Sequence, residues 1–332
     1  MNCAYLAFTD RGLALAHRLA QAQPGTVDRC GKDGVRLGDW TSRNFARCNA
    51  LVFVGAVGIA VRAIAPHCRS KATDPAVVVV DEAGQFAIPV LSGHLGGANA
   101  LARTLAAACG AVPVITTATD VRGVFAVDEW AKQAGCAVLE PERIKQVSGR
   151  LLAGEPVGFW SEFPVNGTPP AGVSPAPAQQ QADFALTLFP QGEGLHLVPV
   201  IGVLGVGCRR GTTAQQLEAA FAAFCARYAL SPRCISAAAS IDLKQNEAGL
   251  LEFCAAHRWA VSFYSAGQLK AVPGNFTPSA FVCSVTGVDN VCERAAALAA
   301  GGTIRIPKQA ADGVTFALAL RPYAPDWRNL NG

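Results

Sequence analysis

The stretch Ala50-Leu-Val-Phe-Val-Gly55-Ala-Val-Gly58 joins five apolar residues directly to a turn framed by two glycines. A short apolar run before glycines predicts a buried strand, and the helical pattern that follows it stops at Pro66. Further strands are predicted at 3–8, 76–81, 86–91 and 112–115, and helices at 11–21 and 98–109. This alternation predicts an open, mostly parallel sheet with helices on both faces, in which ligands bind at the carboxyl ends of strands.

Proline usage divides the chain into regions. Four prolines (Pro169, Pro170, Pro175 and Pro177) lie between Asn166 and Asp183, and this composition predicts a flexible, extended linker. After the linker the alternation of strands and helices returns. We therefore predict an α/β protein with two α/β domains of mostly parallel sheets, joined by a small middle region and a Pro-rich linker. The predicted ranges are 1–137 for the N-terminal domain, 138–196 for the middle region with the linker, and 197–332 for the C-terminal domain.

The composition excludes several classes of protein. With 51% apolar and 16% charged residues, a chain of 332 residues can bury a large core, which argues against disorder. A net charge of +4 without a basic run predicts no nucleic-acid surface. The longest apolar runs are about a dozen residues, fewer than the roughly 20 that a membrane-spanning helix needs. The first residues also lack the pattern of a secretion signal, so we expect a cytoplasmic protein.

The cysteines and histidines predict no metal site. The twelve cysteines are scattered singly, and several lie in apolar surroundings, which is typical of small buried side chains in a reducing compartment. A metal site needs ligands clustered at short spacing, and the five histidines do not supply such a cluster.

The first polar motif is Ser70-Lys71-Ala-Thr-Asp74-Pro75, which lies directly before four consecutive valines. Pro75 favours an extended conformation for Asp74. A charged and hydroxylated loop beside a buried strand indicates a site, although an ordinary solvated turn has the same composition.

The second motif is Leu91-Ser-Gly-His94-Leu-Gly-Gly97-Ala-Asn99, where a strand ends, glycines follow and a helix begins. The glycines allow close approach of the backbone, and the helix N-terminus presents N–H groups to an anion. His94 could act as a general base near neutral pH or could be structural. The spacing matches neither a dinucleotide fingerprint nor a nucleophile elbow at Ser92.

Further polar residues follow other predicted strands. Thr116, Thr117 and Asp120 form a polar lip, with Asp128 and Glu129 shortly after, and Asp120 could equally cap a helix or form a turn. In the second half, Arg209 and Arg210 follow a glycine turn and could bind carboxylates or be a basic surface turn. Lys244 lies in a similar polar strand end.

The order of these motifs resembles the cobalt-precorrin-5A hydrolases of cobalamin biosynthesis. The resemblance covers most of the chain from about Ala50 onward, and the motif at 91–99 is its most specific part. The other blocks are Phe53–Arg62, Lys71–Glu82, Ile115–Asp120, Phe125–Asp128, Gly205–Thr212, Ser240–Lys244 with Glu247, and Ser284–Asp289.

The resemblance implies a hydrolase that cleaves a carbon–carbon bond. Its substrate is a methylated cobalt tetrapyrrole whose ring-A acetate is closed into a δ-lactone. Water opens the lactone, and the methylated meso carbon leaves as acetaldehyde. The cobalt travels with the substrate, so no cofactor and no protein-bound metal are expected.

This chemistry requires a base and donors for an oxyanion. We hypothesise that His94 or Asp74 is the base, and that Lys71 stabilises the oxyanion. The other expected contacts with the substrate come from Ser92, Gly93, the N–H groups of Gly96 and Gly97, Thr116, Thr117 and Asp120 around ring A, and Arg209, Arg210 and Lys244 around the carboxylates.

Other functions and partners stay open at this stage. A non-catalytic tetrapyrrole carrier could use the same loops and would bind without releasing acetaldehyde. A nucleotide-dependent α/β enzyme lacks support because no Walker or dinucleotide pattern occurs, but a nucleotide-induced rise in melting temperature would revive it. We expect a small-molecule cobalt tetrapyrrole as partner, neither nucleic acid nor membrane, and leave open a homo-oligomer or transient contact with neighbouring pathway enzymes.

Overall fold

The computed structural model describes residues 2–31, 34–70, 73–94 and 96–327. Contacts divide the chain into two compact units. The first comprises residues 1–130 and 144–155, and the second comprises residues 131–143 and 156–332. Within the described ranges, no helix is both long and apolar enough to cross a bilayer.

The first unit contains a six-stranded sheet with strand order β2-β1-β3-β4-β5-β6. Its strands are β1 (Cys3–Ala7), β2 (Gly25–Arg29), β3 (Ala50–Val54), β4 (Ala76–Val80), β5 (Phe86–Leu91) and β6 (Val112–Pro113). Its helices are α1 (Asp10–Ala22), α2 (Leu37–Arg47), α3 (Val57–Ile64), α4 (Ala98–Cys109), α5 (Ala118–Arg122), α6 (Val127–Gln133), which reaches into the second unit, and α7 (Ile144–Leu152).

The central strands are buried on both faces, which explains their continuous apolar sequence. Along β3 and β4, alternate side chains enter two different cores. Val52 and Val78 join one core with residues of α1 and α4, whereas Phe53 and Val79 join the other with residues of α2 and α3. The sheet therefore has helices on both faces, as the sequence predicts.

One pair of strands departs from the parallel pattern and positions the candidate site. β4 and β5 are antiparallel, with Val77 opposite Leu91, whereas the other pairs of this sheet are parallel. The carboxyl end of β5 consequently lies beside the amino end of β4. The turn after β5 and the loop before β4 are thereby brought to one edge of the sheet.

The second unit contains two five-stranded sheets, with strand orders β7-β11-β10-β8-β9 and β14-β13-β12-β16-β15. The first has β7 (Cys136–Val138), β8 (Val157–Ser161), β9 (Val173–Pro175), β10 (Phe184–Leu186) and β11 (Leu195–Pro199). The second has β12 (Gly202–Cys208), β13 (Ile235–Ile241), β14 (Ala260–Tyr264), β15 (Thr303–Ala311) and β16 (Val314–Leu320). The helices are α8 (Ala214–Tyr228), α9 (Ala248–Ala256), α10 (Ala266–Lys270), α11 (Ala280–Thr286) and α12 (Cys292–Ala300).

The α/β fold class is confirmed, but the Pro-rich segment is more ordered than the sequence suggests. β9 pairs in parallel with β8 at the edge of its sheet, and Val173 is buried. The buried Gln179 donates a hydrogen bond from Nε2 to the carbonyl of Phe189 at 3.1 Å. An edge strand tolerates proline because one side of its backbone needs no ladder hydrogen bonds. Part of the expected flexible linker is therefore packed structure.

Glu293, in the first turn of α12, is a buried carboxylate that joins three segments of the second unit. Its Oε2 accepts hydrogen bonds from the Thr277 backbone N–H at 2.7 Å and from Asn290 Nδ2 at 2.6 Å. Its Oε1 accepts from the Thr277 hydroxyl at 3.0 Å and from the Lys308 backbone N–H at 2.6 Å. Both oxygens thus face donors only.

We expect Glu293→Gln to lower the free energy of unfolding by about 1–2 kcal/mol, because the amide NH₂ must face two donors and leaves them unsatisfied. Chemical denaturation of both proteins measures this difference. Glu252→Gln, at an exposed position of α9, is the control and should change stability little. Equal destabilisation by both variants would contradict a specific role for the buried carboxylate.

Candidate active site

The turn between β5 and α4 is tightly folded around two glycines. Ser92 has a φ of 57° although it is not glycine, and Gly97, which caps α4, has a φ of 88°. A Cβ on Gly96 would lie 2.6 Å from the carbonyl oxygen of Ser92, so any side chain there would force the turn apart. Backbone in sparsely populated regions persists where the surrounding structure holds it, often at functional sites.

The loop before β4 is tied to this turn. The hydroxyl of the buried Ser92 donates a hydrogen bond to the carbonyl of Asp74 at 3.0 Å. The Asp74 carboxylate accepts from the backbone N–H groups of Arg69 and Ser70 at 2.8 and 3.0 Å. Asp74 therefore folds its own loop in this structure, and its role as a base stays a prediction. Lys71, the expected donor to the oxyanion, lies outside the described residues.

His94 lies in the turn between two carboxylates that come from later in the chain. Its Nε2 is 2.8 Å from Asp120 Oδ2, and its Nδ1 is 3.3 Å from Asp128 Oδ1. The three side chains are 9–12% exposed. The Thr119 hydroxyl lies 3.4 Å from Nε2. Nε2 is thus held by a short contact, whereas the contact at Nδ1 is longer than the usual hydrogen bond.

Asp120 is held in place by α4 as well as by His94. Asn99 Nδ2 donates to its Oδ2 at 3.0 Å, and Arg103 Nη2 donates to its Oδ1 at 2.5 Å. Asn99 also donates to the hydroxyl of Thr117 at 2.8 Å. Because Asn99 and Arg103 are four residues apart, they lie on the same face of α4 and reach the same carboxylate.

These contacts set the charge of the His94 ring. Burial disfavours its protonation, but the hydrogen bonds and negative charges of Asp128 and Asp120 outweigh burial and raise the pKa of His94 to about 9. Burial would raise the pKa of Asp120, yet hydrogen bonds from His94, Thr117 and Arg103 hold that pKa below its ordinary value. At neutral pH the pair is an imidazolium and a carboxylate. In this state His94 can donate a proton and cannot accept one.

His94, Asp120 and Glu129 each offer one atom to a common space, and these atoms lie within 4.8 Å of one another. One nitrogen and two carboxylate oxygens form a donor set that a divalent cation can use. In this structure the two carboxylates lie beside a side-chain cation, because Arg103 is 2.5 Å from Asp120 and 3.8 Å from Glu129. Binding of a metal would require His94 to lose its proton. We therefore call His94, Arg103, Asp120, Asp128 and Glu129 the ion-pair cluster.

The expected carboxylate-binding residues Arg209, Arg210 and Lys244 belong to the second unit. Lys244 Nζ donates to Glu247 Oε2 at 2.9 Å, and Glu247 Oε1 accepts from the N–H of Gly211 at 2.6 Å. Hydrogen bonds from Lys244 and Gly211 lower the pKa of Glu247, with a smaller effect from the charge of Arg210. Arg209 and Arg210 are exposed, whereas Lys244 is already neutralised by Glu247. This favours the two arginines over Lys244 as binders of an external anion.

The sequence-based prediction included part of the cluster and missed the rest. His94 and Asp120 are in direct contact, and Thr117 is joined to Asp120 through Asn99; Thr116 is exposed. Roles for Asn99, Arg103 and Thr119 were not predicted, and Asp128 and Glu129 were noted without a role. The spacing of the two polar residues at 99 and 103, on a helix of Ala and Leu, was the available signal.

Comparisons with known proteins show to which family the chain belongs. Three family models match the chain: Cobalamin synthesis G N-terminal over residues 39–120, Cobalamin biosynthesis central region over 125–188, and Cobalamin synthesis G C-terminus over 202–319. The ion-pair cluster combines residues from the first two matched regions.

Two relatives at 34–35% identity match most of the chain. The cobalt-precorrin-5A hydrolase of Salmonella typhimurium (strain LT2) is 35% identical over 96% of this chain and 97% of its own length. The enzyme of that name from Priestia megaterium is 34% identical over 84% of this chain and 80% of its own. The crystal structure of a cobalamin biosynthesis protein G homolog from Sulfolobus solfataricus covers 97% of both chains, with a TM-score of 0.43 and 21% identity. The chain therefore belongs to the cobalamin synthesis G family, the family of the cobalt-precorrin-5A hydrolases.

Proposed function

We propose that this protein hydrolyses cobalt-precorrin-5A, opening the ring-A δ-lactone with water and releasing the methylated meso carbon as acetaldehyde. The observation that carries the proposal is the placement of His94 between Asp120 and Asp128, inside the motif on which the resemblance chiefly rests; the same two carboxylates raise the pKa of His94 to about 9. The names of two relatives at 34–35% identity support the hydrolase over the carrier.

The proposed role of His94 is to donate a proton. Opening a lactone develops negative charge first on the carbonyl oxygen and then on the departing ring oxygen, and both are stabilised by a nearby cation or proton donor. Asp120 holds Nε2 at 2.8 Å and orients the ring, while the longer contact of Nδ1 with Asp128 leaves that N–H as the one to exchange for a substrate oxygen. Our sequence-based hypothesis names His94 or Asp74 as the base; this assignment gives His94 the role of proton donor instead.

The remaining substrate contacts are proposals that follow from exposure and charge. The substrate carries several carboxylates, and the exposed guanidinium groups of Arg209 and Arg210 suit them. Thr116 is exposed and could contact ring A, whereas Ser92, Gly93, Gly96 and Gly97 shape the turn that carries His94. Cobalt is part of the substrate, so the proposal assigns no cofactor to the protein.

We further propose that the protein acts in the cytoplasm, where cobalt tetrapyrrole is its small-molecule partner. All twelve cysteines are free thiols, which suits a reducing compartment. Burial raises the pKa of the Cys136, Cys225 and Cys254 thiols well above neutral, so these side chains stay protonated and unreactive.

Release of acetaldehyde is the decisive measurement. We expect the purified protein, incubated with cobalt-precorrin-5A made by the preceding enzymes, to release one acetaldehyde for each substrate consumed. Trapping the aldehyde and weighing the tetrapyrrole by mass spectrometry would establish both products. The control is a reaction without the protein. Tight binding of the substrate without acetaldehyde would contradict the hydrolase and establish the carrier.

A further inference from the structure

Glu129 belongs to the ion-pair cluster, and its carboxylate oxygens are available to accept hydrogen bonds. It lies in the first turn of α6, its side chain is 16% exposed, and one of its oxygens is within 4.8 Å of the His94 ring nitrogen and of an Asp120 oxygen. Among the described residues no hydrogen bond reaches its carboxylate. Its cation partner there, Arg103 Nη1, lies at 3.8 Å, which is too long for a hydrogen bond.

The neighbouring carboxylates are engaged differently. Asp120 is in hydrogen-bonding contact with His94, Asn99 and Arg103, and Asp128 accepts from the backbone N–H of Glu129 at 3.1 Å and contacts His94. Both are committed to holding other groups. Glu129 can therefore bind a water molecule without breaking a contact of the cluster.

The environment also moves the pKa values of Glu129 and Asp120 in opposite directions. Burial is the largest cause and raises the pKa of Glu129; the positive charge of His94 opposes it, the charges of Asp120 and Asp128 add to it, and the net pKa is raised, whereas the pKa of Asp120 is lowered. Carboxylates of one site whose pKa values are moved apart commonly take different roles in acid–base catalysis. The one closer to neutral accepts a proton more effectively.

We propose that Glu129 is the general base that takes a proton from the water attacking the lactone, an inference that rests on the proposed hydrolysis. As the water oxygen bonds to the carbonyl carbon, its proton moves to the Glu129 carboxylate and the π-electron pair moves to the carbonyl oxygen. When the carbonyl re-forms, the bond to the ring oxygen breaks and that oxygen takes the proton of His94 Nδ1. Exchange with solvent then removes the proton from Glu129 and returns one to His94. The product is a carboxylic acid and an alcohol, which together contain the lactone and one water.

The test compares Glu129→Gln with wild type and with Glu155→Gln in the acetaldehyde assay. Glu155 is a glutamate of the same unit, 60% exposed and paired with Arg150. We expect Glu129→Gln to lower kcat by about 10²-fold with little change in KM, and to lose the acid limb of the pH–kcat profile, because glutamine cannot accept a proton. Glu155→Gln should match wild type. In Glu129→Ala, added formate should restore part of the lost rate, which a structural role would not allow.

The possible results distinguish failure of the proposed function from failure of the inference about Glu129. If wild type releases no acetaldehyde, the proposed function fails and the inference falls with it. If wild type is active and Glu129→Gln equals it, the proposed function stands and the inference alone is overturned. If Glu129→Gln loses a stoichiometric metal that elemental analysis finds in wild type, Glu129 is a ligand and the inference is also overturned. Should Glu129→Gln fail to fold, Glu129→Asp replaces it, with reduced kcat and a retained acid limb expected.

Discussion

Replacing His94 by alanine is expected to lower kcat for acetaldehyde release by about 10²–10⁴-fold, which is the usual effect of removing a positioned proton donor. The variant also removes the positive charge that stands between Asp120 and Asp128. The measurement is the initial rate of acetaldehyde release at saturating substrate, with thermal unfolding recorded to show that the variant is folded.

His17 provides the matched control, because it is an exposed histidine on α1 of the same unit. His17→Ala should keep the wild-type rate. The pH profile adds an independent check: since the protonated ring is the active form, wild-type kcat should fall as pH rises through about 9. Unchanged turnover in His94→Ala, or a rate that increases through this range of pH, would remove His94 from the mechanism.

The stability of the protein should also depend on the protonation of His94. The ring titrates near pH 6.5 when unfolded and near pH 9 when folded, so the folded state binds the proton more tightly. This contribution to stability is fully present below pH 6.5 and is lost as pH rises towards 9. The difference between the two pKa values of His94 corresponds to about 3 kcal/mol of folding free energy. Partial screening by solvent lowers the expected loss of stability to about 2 kcal/mol.

Urea unfolding of wild type and of His94→Gln between pH 6 and pH 10 measures this effect. Wild type should lose stability across the range, whereas His94→Gln should give a flatter curve because glutamine does not titrate. His17→Gln should follow wild type. Parallel curves for wild type and His94→Gln would show that the ring has the same pKa folded and unfolded, and would contradict the ion-pair cluster.

The sequence by itself determined many of the local elements and the family. A continuous apolar run such as Ala50–Val54 forms a strand that is buried on both faces of its sheet. The glycines at 96 and 97 permit a turn that other residues would block. Both are properties of neighbouring residues, so they are visible in the order of the chain. The motif resemblance, confirmed by the family models, rests on the same local patterns.

Only the tertiary structure decided how the polar residues combine and what charge they carry. His94 meets Asp120 and Asp128 because the carboxyl end of β5 and the segments after β6 share one edge of the sheet, although these residues lie 26 and 34 positions apart in the sequence. The antiparallel pairing of β4 with β5 brings Asp74 to the same edge. The protonation of His94 depends on burial and on two charges from distant segments. The amino-acid sequence shows neither the burial of His94 nor the nearness of these charges, because both depend on distances that arise when the chain folds.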